Sequence, residues 1–489
     1  MDYLVKILPY NKIIDVAEGS NLMSVLREAG YALDAPCGGH GTCGKCTVHV
    51  NSKEQLACQT TVNADMIVSV SDMFLENITS DEQVQNFQNS EGEDFYLAFD
   101  IGTTTIVCYL LNGNDGKEIS CASMLNPQVV YGADVISRIQ AGADGNAEHM
   151  KQLVQDGLCR LIQEVCGNTG IETKQIKRIS VVANPAMQQL FMGIDLQNLI
   201  SIPYVSVITK AEIVFAKDYI SACENADFLV VPDISAYVGA DTLACVFATN
   251  MYEAEKTILM VDIGTNGEMV LGNSNRMLAC STAAGPAFEG AKIKFGMRGT
   301  VGAIDHVWLE DGEIRCHVIG EGTAKGICGS GLIDAVAVAL DAGLINARGR
   351  IKASEEIDGQ RFIHLCDDVH LTQEDIHEVQ LAKSAIASGI EIMISQYGLD
   401  ISQIDEVLLA GAFGNFMNPK SACRIGMLPS ALQDKIITIG NAAGEGAKLL
   451  VSNDDMFQYS QQLVEQIECI ELAKDSEFPR IFAKNILFR

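Results

Sequence analysis

The chain has 489 residues, 48 % of them hydrophobic and 20 % charged, a composition typical of a folded protein with more than one domain. Its formal net charge of −29 disfavours binding to nucleic acid or to anionic membranes, since both recruit lysine and arginine. With neither an export signal nor an apolar run of transmembrane length, it is expected to be cytoplasmic and to bind neither nucleic acid nor membrane.

Residues 1–75 are predicted to form a small α/β domain. Two short strands, Tyr3–Leu8 and Lys12–Val16, precede a helix with apolar residues at helical spacing. A hairpin and a last strand, Met66–Val70, follow. This order of elements resembles the β-grasp fold of plant-type ferredoxins. Residues 76–94 are acidic, lack lysine and arginine, and are predicted to be a flexible linker.

Four cysteines lie in a 22-residue window of the first domain, with the spacing C-x5-C-x2-C-x11-C. Thiolates at such a spacing can hold two irons, and the glycines of the loop let backbone N–H groups approach the cluster sulfurs. Zinc is the alternative, although zinc sites usually combine two paired CxxC or CxxH units. The pattern therefore predicts a [2Fe–2S] cluster, with these ligands: Cys37, Cys43, Cys46 and Cys58.

A strand–turn–strand unit occurs twice in the rest of the chain. The turns read Asp100-Ile-Gly102-Thr103-Thr104-Thr105 and Asp262-Ile-Gly264-Thr265-Asn266-Gly267-Glu268. The two aspartates are 162 positions apart (262 − 100), which indicates an internal duplication. Such turns offer N–H groups and hydroxyls to phosphate oxygens, and an aspartate at a strand end can hold Mg²⁺. Two of them face to face would clamp the phosphates of a nucleotide.

A third glycine turn follows the apolar run Val407–Ala410 and contains Gly411, Gly414 and Asn415. It resembles the adenosine-side loop of the acetate and sugar kinase, Hsp70 and actin superfamily. The resemblance covers residues 95–489 and implies ATP binding between two halves, 95–255 and 256–489. The predicted fold class is therefore multi-domain α/β: a β-grasp [2Fe–2S] domain, a linker and a duplicated actin-type ATPase domain.

Three further features have open interpretations. The glycines of 440–446 open a helix and suit either an anion or close packing. Asp134 and Arg138 are spaced as a surface salt bridge on a helix. Asp241 precedes an apolar helix and is placed to face the nucleotide cleft.

The combination of a [2Fe–2S] domain with this ATPase type resembles the ATP-dependent reductive activators of corrinoid proteins. The resemblance rests on the cysteine window, the Asp262–Glu268 turn and further motifs: 126–135, 282–290, 326–331 and 411–415. Family members often carry an extra middle domain between the linker and the ATP domain, and the chain has no room for it. The middle domain is therefore expected to be missing here.

The resemblance implies ATP-dependent reduction of an inactive Co(II) corrinoid to Co(I), with the electron passing through the [2Fe–2S] cluster. It implies that Asp100 and Asp262 hold Mg²⁺, and Glu268 is assigned to orient the attacking water. The partners would be a corrinoid protein of a methyltransferase system and a low-potential donor such as reduced ferredoxin or flavodoxin, with a homodimer as one option for the assembly. Two other classes stay open: a small-molecule kinase with a redox-sensing cluster, and a nucleotide-sensing electron carrier without ATP turnover.

Overall fold

The computed structural model describes residues 2–8, 12–29, 41, 46–51, 53–69, 93–320, 322–352, 355–357, 360–411, 414 and 416–488. Four of the sequence predictions fall outside these ranges: Cys37, Cys43, Asn415 and nearly all of the 76–94 linker. No helix in the described ranges is both long and apolar enough to cross a membrane.

The N-terminal domain is a five-stranded sheet with one helix against it. Its elements are β1 (Asp2–Leu8), β2 (Lys12–Ala17), α1 (Leu22–Glu28), β3 (Thr47–Val50), β4 (Lys53–Leu56) and β5 (Met66–Ser69). The strand order is β2-β1-β5-β3-β4, with β1 parallel to β5. Helix α1 buries Leu22, Val25 and Leu26 in a core with strand residues such as Val5 and Val68. The predicted β-grasp fold is confirmed.

The first half of the remaining chain is built on a six-stranded sheet of order β10-β11-β9-β6-β7-β8. Its elements are β6 (Phe95–Ile101), β7 (Thr105–Asn112), β8 (Glu118–Leu125), α2 (Val135–Ala141), α3 (Ala147–Thr169), β9 (Ile176–Ala183), α4 (Pro185–Met192), α5 (Gln197–Ile200), β10 (Glu212–Phe215), β11 (Asp227–Val230) and α6 (Ala240–Ala248).

The second half is built on a sheet of order β22-β21-β12-β13-β14-β23. Two small sheets, β16-β15-β17 and β18-β19-β20, are inserted between β14 and α8. The elements are β12 (Ile258–Ile263), β13 (Gly267–Asn273), β14 (Arg276–Thr282), β15 (Ala303–Glu310), β16 (Glu313–Val318), β17 (Gly326–Ile327), α7 (Gly329–Asp341), β18 (Glu355–Ile357), β19 (Gln360–Cys366), β20 (Val369–Thr372), α8 (Gln373–Tyr397), β21 (Glu406–Ala410), α9 (Pro419–Arg424), β22 (Ile436–Gly440), α10 (Ala442–Ser452), α11 (Asp454–Gln466), β23 (Ile467–Cys469) and α12 (Phe478–Asn485).

The two halves share a five-stranded arrangement, β11-β9-β6-β7-β8 in the first and β22-β21-β12-β13-β14 in the second, and the sixth strand (β10 or β23) lies at opposite edges. In each, the first strand (β6 or β12) pairs antiparallel with the next strand of its hairpin. On its other side it pairs in parallel with a later strand, β9 or β21. The carboxyl ends of β6 and β12 therefore deliver the two predicted phosphate turns to equivalent edges of the two sheets. This is the duplicated actin-type fold that the sequence predicts.

Helices α6 and α10 join the two halves in one core. Apolar residues of both sheets, such as Val182 and Met260, belong to the same buried cluster as these helices. A Cβ atom on Gly446 of α10 would lie 2.0 Å from the carbonyl oxygen of Ala244 on α6. A Cβ on Gly444 would likewise meet the Tyr109 hydroxyl at 2.6 Å. Of the two open interpretations of the 440–446 glycines, the structure favours close packing.

Candidate functional site

The first predicted phosphate turn is held from behind by two asparagines. Gly102 N donates to Thr105 O at 2.9 Å, which closes the turn. Asn126 Nδ2 donates to Gly102 O at 2.8 Å, and Asn184 Nδ2 donates to Thr103 Oγ1 at 3.1 Å. Both asparagines are N-cap residues followed by proline. Neither asparagine was predicted to lie at the site, although an Asn-Pro pair after a strand occurs at both positions and could have indicated it.

The second phosphate turn meets the predicted adenosine loop. Gly264 N donates to Asn266 O at 2.9 Å, as Gly102 does in the first turn. Gly411 has a φ of 88°, and a Cβ atom there would lie 2.6 Å from Asp262 Oδ1. Only glycine combines this conformation with so close an approach to the carboxylate. Gly414 belongs to the same loop and lies against the Ala410 carbonyl, 2.6 Å from where its Cβ would be.

Glu289 connects the two turns. Thr104 Oγ1 donates to Glu289 Oε2 at 2.6 Å, and Thr265 Oγ1 donates to Glu289 Oε1 at 2.7 Å. The threonines come from opposite halves of the molecule, yet their hydroxyls reach the two oxygens of one carboxylate. The two duplicated turns therefore face each other across a single site. The sequence predicted a glycine turn at 284–290 that could border the cleft, but it assigned no role to Glu289 itself.

A buried arginine lies behind this carboxylate. Arg138 is completely buried, and its Nε donates to Gly132 O at 3.0 Å. Burial lowers the pKa of Arg138 to about 9, against the opposing effect of the Glu289 charge. The predicted surface pair with Asp134 is wrong, because Asp134 caps α2 by accepting from Ser137 N at 2.8 Å. The helical spacing was correct, but the sequence does not show that this face of α2 is buried.

Four carboxyl groups gather between the turns. Burial, with the charge of Asp241 as a further cause, raises the pKa values of Asp100 and Asp262 to about 7. Burial also raises the pKa of Asp241 to about 6 and that of Glu268 well above its usual range. Asp241 thus faces the cleft, as the sequence suggested. The four acids do not form a ready-made metal site, since no three metal-binding side chains come together in the described ranges. Their oxygens suit Mg²⁺ that is held largely through water.

Hydrogen bonds orient two of these carboxyl groups. Asn441, the N-cap residue of α10, donates through Nδ2 to Asp100 Oδ2 at 2.9 Å. The same nitrogen lies 3.2 Å from the Tyr109 hydroxyl. Ser281 Oγ donates to Glu268 Oε1 at 3.1 Å. Asp100 is therefore fixed by an element of the other half of the molecule, so the carboxyl cluster depends on how the two halves meet.

The carboxyl cluster predicts how stability depends on pH. Because the folded-state pKa values of Asp100, Asp241 and Asp262 are raised, the folded protein binds more protons than the unfolded chain between about pH 4 and 7. Its stability should fall as the pH rises through that window. The melting temperature of metal-free protein is expected to be a few degrees lower at pH 8 than at pH 5.5, with Mg²⁺ recovering part of the loss at pH 8.

Differential scanning fluorimetry of two variants separates this cluster from the overall negative charge. Asp241→Asn should flatten the pH dependence and reduce the response to Mg²⁺. Asp434→Asn removes an exposed carboxylate and should behave as the wild type. Equal pH profiles for the two variants would assign the trend to net charge alone.

Glu289 is predicted to compete with nucleotide phosphates for Thr104 and Thr265. A carboxylate about 5 Å from a phosphate charge costs roughly 3 kcal/mol at an effective dielectric constant of 20, and Mg²⁺ offsets part of this. Glu289→Gln should therefore bind a non-hydrolysable ATP analogue about tenfold more tightly in equilibrium titrations. Glu313→Gln, on an exposed strand, is the control. Weaker binding by the Glu289 variant would show that this carboxylate supports the turns instead of competing with the ligand.

Two of the four predicted cluster ligands lie side by side in the described part of the N-terminal domain. Ala57 N donates to Cys46 O at 2.8 Å, which places Cys46 beside Cys58. Both cysteines are buried. Gln59 Nε2 donates to Cys58 Sγ at 3.6 Å, a contact that suits a cluster thiolate. These residues fit a [2Fe–2S] cluster, whose other two predicted ligands, Cys37 and Cys43, lie outside the described residues.

Three family models match successive parts of the chain. Residues 5–63 match the 2Fe-2S iron-sulfur cluster binding domain. Residues 95–254 match the RACo middle region, and residues 256–489 match the C-terminal domain of RACo, the ASKHA domain. The prediction that the family's middle region is missing is therefore wrong. Those residues were predicted to form the first half of the ATPase fold, and the middle domain was expected between them and the linker.

Two relatives and one solved structure match most of the chain. The chain is 30 % identical over 586 residues to "Corrinoid activation enzyme RamQ" of Eubacterium limosum, covering 97 % of each chain. It is 24 % identical to "[Co(II) methylated amine-specific corrinoid protein] reductase" of Methanosarcina barkeri, covering 75 % of this chain and 72 % of that one. A solved structure, "Reductive activator for corrinoid,iron-sulfur protein", superposes with a TM-score of 0.74 at 27 % identity, covering 99 % and 98 % of the two chains.

Proposed function

The chain belongs to the family of reductive activators of corrinoid proteins, and we propose that it uses Mg-ATP to drive the reduction of an inactive Co(II) corrinoid to Co(I) on a partner protein. Glu289 gives the main structural support, because its carboxylate accepts from both Thr104 and Thr265 and so brings the duplicated turns to one site. The same chain also contains a 2Fe-2S domain, which transfers one electron at a time, and a nucleotide site would drive that transfer.

The ATP-binding roles follow the geometry of the turns. Asp100 and Asp262 would hold Mg²⁺, and Glu268 would orient the attacking water. Hydroxyls and backbone N–H groups of the two turns would bind phosphate oxygens, and the third loop would contact adenosine. The residues in these contacts are Gly102, Thr103, Thr104, Thr105, Gly264, Thr265, Asn266 and Gly267 for the phosphates, and Gly411, Gly414 and Asn415 for the adenosine side.

Nucleotide binding would couple to electron transfer through the contact between the halves. Phosphates that take the hydroxyls of Thr104 and Thr265 must displace Glu289 from them. Asn441 connects the α10 end of the second half to Asp100 of the first, so a change at the turns would alter how the halves meet. A ligand shifts such an equilibrium only by its differential affinity for the two arrangements. The new arrangement would bias the corrinoid protein toward a state that accepts an electron.

The cluster cysteines would hold the iron–sulfur group through which the electron passes to cobalt. When bound, the [2Fe–2S] cluster supplies one-electron transfer, and Co(II) needs one electron to become Co(I). A low-potential donor such as reduced ferredoxin or flavodoxin would replace that electron. Cys46 and Cys58 lie together in the domain core, where their thiolates are shielded from water.

An anaerobic absorbance assay tests this function. The purified protein, a Co(II) corrinoid protein, a low-potential reductant and Mg-ATP are combined, and the Co(I) spectrum is followed. We expect Co(I) to form only when both ATP and the activator are present. A phosphorylated small molecule in place of Co(I) would identify a kinase, and ATP binding without turnover in the presence of the partner would identify a nucleotide sensor. Either result would reject the proposed function.

A further inference from the structure

Two histidines stand next to each other on the β15–β16 hairpin. His306 and His317 are direct register partners on the two antiparallel strands. Their ring centroids lie 6.5 Å apart, and their side chains are 48 % and 57 % exposed. The two rings therefore share one face of the hairpin and are open to solvent.

Each ring is oriented by a carboxylate on the same ring nitrogen. His306 Nδ1 lies 3.2 Å from Asp334 Oδ2, and His317 Nδ1 lies 2.6 Å from Asp305 Oδ1. Because a carboxylate can only accept, Nδ1 donates in both pairs, and each neutral ring keeps its lone pair on Nε2. A carboxylate on the distal nitrogen is the arrangement that orients metal-binding histidines and raises their basicity.

Asp334 would lower the stability of the protein if its role were structural alone. Its side chain is only 3 % exposed, and its Oδ1 atom has no hydrogen-bond partner among the residues that the structure describes. Burying a carboxylate with one oxygen unpaired costs stability. Its other oxygen faces His306 Nδ1 and the Val307 N–H at 3.4 Å. Asp334 Oδ2 therefore faces the imidazole of His306, and a carboxylate in this position makes an imidazole a better metal ligand.

We propose that His306 and His317 form a surface site for a divalent transition-metal ion, bound through both Nε2 atoms. Imidazole favours Zn²⁺, Ni²⁺ and Cu²⁺ over Mg²⁺, so the site differs in chemistry from the carboxyl cluster of the nucleotide cleft. No group of three or more metal-binding side chains occurs in the described ranges, so water completes the coordination. Two Nε2 atoms at about 2.1 Å from one zinc ion would put the ring centroids about 5 Å apart. The two exposed rings, 6.5 Å apart, must therefore move closer together to share one ion.

Calorimetric titration with Zn²⁺ tests the site. The protein is used anaerobically with its iron–sulfur cluster intact, so that the cluster cysteines do not bind added zinc. We expect one zinc ion per wild-type chain that is lost in the His306→Asn/His317→Asn double variant. Each single variant should bind it at least tenfold more weakly. His364→Asn, which changes an exposed histidine on β19, is the control and should bind as the wild type.

A second variant tests the carboxylate that orients His317. Asp305→Asn keeps a hydrogen-bond acceptor for His317 but removes the negative charge, and should weaken zinc binding by about 10- to 100-fold. Nucleotide binding, measured on every variant, should stay at the wild-type level because none of these residues touches the cleft turns. Equal zinc stoichiometry and affinity in the wild type and the double variant would overturn the site.

Discussion

Replacing Cys58 by alanine is expected to remove the visible absorbance of the iron–sulfur cluster and to abolish Co(I) formation. Cys58 is buried next to Cys46 and receives a hydrogen bond from Gln59, so its loss removes one predicted ligand from the centre of the small domain. Nucleotide binding should be retained, since the strand ends that carry the two phosphate turns pack in cores separate from that of the small domain. Absorbance spectra, the Co(I) assay and nucleotide titration on one preparation measure all three effects.

Cys159→Ala is the matched control. Cys159 is a partly exposed cysteine of α3, outside the ferredoxin domain, and its removal should change neither the spectrum nor the assay. Metal content decides between the cluster and the zinc alternative. Loss of iron and sulfide from the Cys58 variant agrees with the [2Fe–2S] cluster, and a loss of zinc instead would refute it.

Replacing Asp262 by asparagine should impair the nucleotide site and leave the cluster intact, the opposite of the Cys58 replacement. The iron–sulfur spectrum should persist, while ATP-dependent Co(I) formation should fall by on the order of 100-fold or more. Asp262 lies at the carboxyl end of β12, against Gly411 of the third loop, where burial and the charge of Asp241 raise its pKa to about 7. Without its charge, Mg²⁺ loses a ligand and the phosphates lose its neutralising effect.

The rate of Co(I) formation, measured at increasing Mg²⁺ concentrations, tests more directly whether Asp262 holds Mg²⁺. If Asp262 holds Mg²⁺, the variant should need much more Mg²⁺ to reach half of its maximal rate. Asp115→Asn, a surface change beside Lys117, serves as the control and should leave this curve in place. A variant with full activity at the wild-type Mg²⁺ requirement would exclude Asp262 from the metal site.

Local patterns in the sequence were sufficient for the fold and for the main chemical groups. The repeat of Asp-Ile-Gly-Thr, first at Asp100 and again at Asp262, predicted two equivalent halves, and the two sheets share five strands in the same order. The cysteine spacing predicted a ferredoxin-type domain, and residues 5–63 match one. These features can be recognised in the sequence because a tight turn or a cluster loop requires particular residue types at neighbouring positions in the chain.

The middle of the chain was harder to interpret. Residues 95–254 match the middle region of the family, which was predicted to be missing from this chain. Arg138 was predicted on the surface because helical spacing gives the neighbours of a residue but not the depth of its face. Its burial depends on what packs against α2, and that is a property of the whole first half.

Contacts between distant segments were decided by the tertiary structure alone. Glu289 meets Thr104 across 185 positions, and Asn441 meets Asp100 across 341. The contact of Asp334 with His306 also depends on α7 packing against the hairpin. The sequence by itself thus determined the two turns and the cysteine domain. Only the fold decided which side chains close the gap between the turns, because that depends on how the two sheets pack around α6 and α10.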